Sequence, residues 1–443
     1  MSQQQTPLSP HSPGDDLSAH EFNGVNNTIN QNASDAETRL QSLDSRATAI
    51  EGTSASIQEY LSGDLPVSAE DGTLAYDLTE STLVYHKSGT WYKISDNSEI
   101  SILLEFTFSI KTDNPGLSAD DQFTLPLTPG NTYNFTIDWD DGTIETFTDD
   151  TPITHTFTGG AGTYSPSITG VMQGLKFNGT GDPEKLTEIS KFGGLSFSED
   201  ASDAFWGCTN LVITANDIPD TSLTSNFLFF MNDCESLDSV PLFDLSAGEN
   251  YFGMFYKVSN VVTLPDLDFS NPSSNSTKFR VTFRRMSSLV TLNNCTLGPT
   301  NSDARLMFTD CHSLLEIPPS LDFSNCERLG SSMQRCYALQ TMRSINSSLI
   351  WEFSNAWRDC TSLEVFPWLD FSAATAMATA WLNCALNSQS IDNIMQALVD
   401  SNVTDLITSV AGGTSLAFTN WSSAALANHS ELVNNRGWTI STN

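Results

Sequence analysis

Basic residues are scarce in this 443-residue chain: 19 Lys and Arg stand against 53 Asp and Glu, a net charge of 19 − 53 = −34. No Lys/Arg-rich block reverses that sign locally, so binding to nucleic acid driven by counterion release is not expected, and anionic membrane surfaces are disfavoured for the same reason. Apolar runs of about 18 residues are missing too, which leaves no expected membrane insertion. The opening stretch, Met1-Ser2-Gln3-Gln4-Gln5, has neither the basic region nor the apolar core of a secretory signal, and the expectation is a soluble chain that does not leave by that route. There is no Cys-x-x-Cys, and the one Cys-His neighbour is Cys311-His312; neither a structural zinc site nor any other cofactor is implied. The six histidines (His11, His20, His86, His155, His312, His429) are scattered, and none accompanies a Ser or Cys in a nucleophile motif. With 53 acidic residues a glycoside-cleaving carboxylate pair stays open, because its separation is a three-dimensional quantity, but the expectation is of no enzyme.

What is present is Ser, Thr and Asn in quantity and only 16% charged residues, a composition that suits a β-rich, loop-rich surface protein built of several units. Residues 1–21, with Pro7, Pro10, Pro13 and Gly14 among polar residues, read as an extended docking arm. From Phe22 a heptad seam follows through Asn26, Ile29, Ala33, Ala36, Leu40, Leu43, Ala47, Ile50, Ser54, Ile57 and Leu61, and predicts an oligomerising coiled coil over 22–62. With Leu40 at a, the isoleucines fall at d, which favours trimers or tetramers; a homotrimer is expected, and the alternative is one amphipathic helix lying on its own domain. Residues 63–97 alternate apolar and polar around Asp71-Gly72 and Ser88-Gly89 and predict a small β-hairpin module. This stretch and the preceding coil resemble, in style, the amino-terminal regions of bacteriophage fibre and other virion proteins.

Residues 98–180 hold short strand-like runs separated by turns, the pattern of a β-sandwich. Trp139-Asp140-Asp141-Gly142-Thr143, His155-Thr156-Phe157 and Gly162-Thr163-Tyr164 resemble the PKD-type immunoglobulin-like domain of surface proteins. In that frame Trp139 is a core residue and Asp141-Gly142 a hairpin turn. Asp138, Asp140, Asp141, Asp149 and Asp150 are either solvated turn residues or oxygen ligands for calcium, the former expected because no EF-hand spacing accompanies them.

From residue 205 onward the sequence repeats. Phe205-x-x-Cys208-x-x-Leu211 recurs with Cys234, Val258, Met286, Cys311, Cys336, Cys360 and Cys384 in the central place, at intervals of 26, 24, 28, 25, 25, 24 and 24 residues. Asp-x-Ser triplets follow at Asp244, Asp268, Asp322 and Asp370. A unit of about 25 residues cannot bury an apolar face alone, so stacking is implied. The pattern resembles the BspA-like leucine-rich repeat family of bacterial surface proteins and some virion proteins, and implies a solenoid over 181–385. Cys208, Cys234, Cys311, Cys336, Cys360 and Cys384 then form a structural core column of reduced thiols, whereas Cys295 and Cys326 lie off the register and are either exposed or paired. Residues 386–443 are expected to cap the array, with a helix from Ser390 burying Ile391, Ile394, Met395, Leu398 and Val399.

The expected fold is therefore multidomain, mainly β with α: coiled coil, β module, PKD-like sandwich, leucine-rich-repeat solenoid and C-terminal cap. The expected function is a bacteriophage virion structural protein, a tail or head fibre assembled in the host cytoplasm, whose repeats bind a host cell-surface glycan or protein. It would contact itself through residues 22–62 and other virion proteins through residues 1–62. Candidate ligand-facing residues follow each repeat leucine: Asp238, Ser239, Thr263, Thr291, Glu316, Gln340, Thr341 and Glu364. The alternatives are a capsid decoration protein without a receptor and a bacterial surface adhesin.

Overall fold

The computed structural model describes residues 58–60, 74–77, 82–87, 90–93, 105–269, 279–293, 295–297 and 303–443. The chain divides into two compact units, Met1–Trp91 and Tyr92–Asn443. At the start of the described chain, β1 (Gln58–Tyr60), β2 (Leu74–Asp77), β3 (Thr82–Lys87) and β4 (Thr90–Lys93) form one sheet in that order. β1 runs parallel to β2, and β2 antiparallel to β3 with Leu74 opposite Tyr85 and Tyr76 opposite Leu83. The alternation of apolar residues over 74–85 favours this register. The coiled coil expected through Leu61 is corrected here, because Gln58–Tyr60 pair as a strand; the earlier seam positions and the arm 1–21 lie outside the described residues.

The second unit opens with β5 (Phe106–Lys111), β6 (Gln122–Leu125), β7 (Tyr133–Asp138), β8 (Ile144–Phe147), β9 (Ile153–Thr156), β10 (Thr163–Tyr164), β11 (Ser167–Gln173), β12 (Leu186–Lys191), β13 (Leu195–Ser196) and β14 (Val212–Ile213). Eight of these make a mixed sheet ordered β14-β12-β5-β11-β7-β8, with β10 on β5 and β13 on β11, while β6 and β9 pair separately. Alternate residues point inward, as a two-residue period requires. Phe106, Phe108 and Ile110 of β5 and Tyr133, Phe135 and Ile137 of β7 are buried, as are Phe123 and Leu125 of β6. Because β12 pairs antiparallel with β5 and parallel with β14, the segments expected to be a sandwich and a repeat array share one sheet.

A buried clamp tightens that junction. Asp182 accepts hydrogen bonds from Ser118 N, Ser118 Oγ and Thr124 N at 3.0, 2.7 and 2.7 Å. Lys185, fully buried, donates through Nζ to Ser118 O, Ser118 Oγ, Ala119 O and Gln122 O at 2.7–3.2 Å. Burial works against the Asp182 carboxylate, yet its hydrogen bonds and the Lys185 charge hold its pKa below the ordinary value.

Beyond Phe197 the repeat period stacks turns. Counting from each Cys-register position, the fifth and the first residues before it have positive φ in all eight coils: Asp203 and Gly207, Phe229 and Asp233, Gly253 and Lys257, Val281 and Arg285, Leu306 and Asp310, Ser331 and Arg335, Asn355 and Asp359, Thr379 and Asn383. A left-handed residue costs roughly 1–2 kcal/mol when it carries a Cβ. The return is hydrogen bonding along the stack: Phe229, Met231 and Asp233, for instance, donate backbone N–H to Phe252, Met254 and Tyr256 of the next coil. Inside, three columns are fully buried, one of Phe, Met and Trp, one of Cys, Val and Met, one of Leu and Val. Phe255 and Phe283, Phe283 and Phe308, and Trp357 and Trp381 lie nearly parallel, with centroids 6.1, 5.3 and 5.5 Å apart.

Regular strands in this stretch are few: β15 (Thr263–Leu264) pairs with β17 (Thr291–Leu292) and β16 (Leu267–Phe269) with β18 (Cys295–Leu297), both parallel. The expected leucine-rich-repeat solenoid is thereby corrected. Among the described residues there is no continuous strand ladder along the repeats, and the sheets are mixed or two-stranded. The left-handed residues keep the segment before each register position out of extended conformation, and elsewhere the coils meet through isolated parallel bridges such as Asn226 with Asn250 and Thr341 with Val365.

The described α-helices are two, α1 (Ser388–Asp400) and α2 (Ser423–Asn435), packed against each other at the carboxyl end and followed by β20 (Thr439–Ser441), which pairs parallel with β19 (Ile407–Ser409). α1 buries Ile391, Ile394, Met395 and Leu398. Its N-cap is Asn387, whose side chain accepts from Ser390 N; Ser390 itself is buried and donates to Glu364 O at 2.7 Å. No described helix is long and apolar enough to cross a membrane.

Candidate functional site

The eight residues expected on the ligand face lie one or two places after the buried leucine column, and seven are exposed, with Thr291 half-buried. The fold brings some together. Thr263 and Thr291 are register partners with hydroxyls 3.5 Å apart. Gln340 O accepts from Glu364 N and Val365 N at 3.0 and 3.2 Å, and Thr341 bridges to Val365. Ser239 turns to its neighbour Asp238, at 3.1 Å. The same register positions carry apolar residues that sequence reading passed over: Val262, Leu315 and Val365 are 50%, 44% and 46% exposed, and Trp368 nearby is 43% exposed. The row is a mixed apolar and hydroxyl surface repeated at the spacing of the coils.

The six register cysteines are free and buried, and they do more than fill space. The thiols of Cys234, Cys311, Cys336, Cys360 and Cys384 donate to Phe205 O, Phe283 O, Phe308 O, Met333 O and Trp357 O of the preceding coil, at 3.0–3.2 Å. Val258 and Met286 keep the volume without the donor. Burial pushes the Cys360 thiol up to about 12, so it is protonated and inert near neutral pH. Cys295 and Cys326, open in the sequence between exposed and paired, are both buried.

Acidic residues at the turns are occupied by the backbone. Asp138 accepts from Asp140 N, Asp140 from Ser165 N, Asp149 from Thr151 and Asp150 from Gly130 N. Asp141 accepts from Thr143 N, Thr158 N and His155 Nε2 at 2.9, 3.0 and 3.1 Å. Burial opposes its charge, but the bonds from Thr158, Thr143 and His155 hold its pKa well below the usual carboxylate range. The imidazole of His155 stacks on Trp139 at 4.4 Å, and Trp139 Nε1 donates to Glu145 at 2.8 Å. The Asp-x-Ser triplets work alike: Asp244, Asp322 and Asp370 accept from Ser246 N, Ser324 N and Ser372 N at 3.0, 2.8 and 2.9 Å. These carboxylates turn the chain.

The left-handed turns carry a second surface, of opposite charge. Ten of the 19 basic residues fall between positions 257 and 358. Along the place just before the Cys-register residue, successive coils carry Asp233, Lys257, Arg285, Asp310, Arg335 and Asp359, so that carboxylates and cations meet across neighbouring coils. Lys257 Nζ lies 2.7 Å from Asp233, Arg285 3.6 Å from Asp310, Arg335 bonds Asp310, and Asn383 donates to Asp359 at 2.6 Å. Burial alone would raise the Asp310 pKa, but the Arg335 hydrogen bond and the charges of Arg335, Arg284 and Arg285 lower it. The ring of Tyr256 has Lys257, Arg284 and Arg285 at 6.0, 5.7 and 5.9 Å from its centroid. Beside it run Trp206, Phe229 and Phe252, half-buried, each 5.4 Å from the next. The sequence signal for this face was the same repeat register, read one and two places before the cysteine instead of after the leucine.

No family model, no curated protein and no solved structure matches the chain.

Proposed function

We propose that this chain is a non-enzymatic attachment protein on the surface of a bacteriophage particle, and that its repeats present the contact surface to a host-cell glycan or protein. The observation that carries this reading is the row that follows the buried leucine column, where exposed Val262, Leu315 and Val365 stand on every second coil and polar Asp238, Ser239, Gln340 and Thr341 on other coils. Repetition of one surface chemistry suits a repeated ligand, and several weak contacts raise affinity without any single strong site. The thiol column favours the phage over the exported adhesin. Six free cysteines, five bonded as S–H donors, suit assembly in a reducing cytoplasm better than passage through an oxidising compartment.

The test is competition. Purified chain should bind saturably to cells of the bacterium on which the particle grows and block adsorption, and alanine at Thr263, Thr291, Thr341 and Glu364 together should weaken that block. Absence of cell binding, with particles lacking the chain that still adsorb but tolerate heat less, would replace attachment by capsid decoration.

A further inference from the structure

We infer that the turn face around Tyr256 is a binding site for a carboxylate-bearing saccharide, separate from the row that follows the leucines. The biological setting rests on the attachment reading above; the chemistry rests on the turn face itself.

Side chains from three different turn positions share this face. Trp206 touches Phe229 of the next coil, and Phe229 touches Phe252 of the one after, so residues two, five and six places before the Cys register lie side by side. Arg280 and Arg284 stand six and two places before Met286, in register with Phe252 and Tyr256, on the coil that follows. Glycine makes the face continuous. A Cβ at Gly179 would meet the indole of Trp206 at 3.0 Å, and one at Gly253 would collide with the ring of Phe229.

Cations on this face are not all spoken for. Lys257 and Trp206 Nε1 both turn to Asp233, and Arg335 turns to Asp310. The Nε atoms of Arg280 and Arg284 are buried with no hydrogen-bond partner. A shielded N–H without an acceptor is destabilising, and with each Nε buried it is the terminal nitrogens of the two guanidinium groups that are left to meet an incoming carboxylate. Flat half-exposed rings next to it suit the C–H faces of sugar rings, as aromatic residues do in ligand sites.

The rest of the molecule narrows the anion. A net charge of −34 repels a densely charged partner at long range, and duplex DNA carries about one charge per 1.7 Å. An acidic polysaccharide spreads its carboxylates more thinly, so a small cationic patch between neutral rings is enough.

Affinity electrophoresis of the full chain in gels containing polygalacturonate, neutral dextran or single-stranded DNA tests the assignment. Polygalacturonate should retard the protein, dextran should not, and the retardation should fade with added NaCl. Arg280→Gln with Arg284→Gln should weaken binding at least about tenfold, with Arg284→Lys intermediate. Tyr256→Leu, which leaves every charge in place, should weaken it less and covers the case in which the double variant does not fold. Equal retardation of wild type and a folded double variant, no retardation of wild type, or retention by DNA alone overturns the inference. Cell attachment that persists in the double variant counts against this site only, whereas a wild type that attaches to no cell removes the reading beneath it.

Discussion

At Gly253 the backbone is left-handed, and the Phe229 ring sits where a side chain would begin. Alanine there adds both the steric cost of positive φ and a displaced aromatic ring, for an expected loss of about 2–4 kcal/mol. Ser331, also left-handed, should behave oppositely. Ser331→Gly relieves backbone strain while adding freedom to the unfolded chain, leaving stability within about 0.5 kcal/mol of wild type or above it. Denaturant titration of the two variants compares them directly, and an unchanged Gly253→Ala midpoint would mean that the ring does not lie there. This contrast also marks what could be read beforehand. The Cys and Leu columns were legible because burial selects residue type and the interval is regular. The left-handed positions were legible only in part: Gly207 and Gly253, and Asp203, Asp233, Asp310, Asn355, Asp359 and Asn383, are of types that tolerate positive φ, whereas Phe229, Lys257, Val281, Arg285, Leu306, Ser331, Arg335 and Thr379 announce nothing about it.

Between elements, the junction of β5 with β12 depends on polar groups that sequence reading left unassigned. Lys185 stands just before β12, which pairs parallel with β14. Yet its ammonium reaches back to the loop at residues 118–122 and accepts no substitute by shape alone. Lys185→Met keeps the stem, leaves Ser118 O without its donor, takes one of two donors from Ala119 O and from Gln122 O, and leaves Asp182 charged and buried without its neighbouring cation. The expected loss is about 2–4 kcal/mol, read as a lowered melting temperature with hydrogen exchange fastest at residues 115–125. A variant as stable as wild type would show that the clamp is incidental. Hairpin turns and most of the cap helix were legible from local chemistry: Gly142 takes positive φ, and Ile391, Ile394, Met395 and Leu398 of α1 are buried as their spacing required, while Val399, expected with them, is half-buried. The shared sheet was not, because β5 and β12 pair across about 80 residues and neither strand carries a mark of its partner. The helix expected from Ser390 starts at Ser388, capped by Asn387, and Ser390 turns inward to bond Glu364 O.

Across the whole molecule, electrostatics divide into two opposing parts. The ladder of ion pairs from Asp233 to Arg335 is attractive and is weakened by salt. Other close pairs, such as Arg305 with Asp303 and Lys176 with Asp203, add to it, but the excess of acid is repulsive and the count decides between them: if all 19 cations were paired, 53 − 19 = 34 carboxylates would remain without one. Screening shortens the reach of that repulsion from about 30 Å at 0.01 M salt to about 3 Å at 1 M, while the close ladder pairs, partly buried, lose less. The melting temperature should therefore rise by a few degrees, on the order of 2–5 °C, between 10 and 500 mM NaCl, as followed by circular dichroism. A fall would place the ladder above the summed repulsion. The same range of salt should weaken capture of an acidic polysaccharide at the Tyr256 face, since there the charges are of opposite sign and the incoming carboxylates arrive from solvent. Stability and anion binding thus move in opposite directions along one axis, so a loss of binding at high salt cannot be ascribed to unfolding.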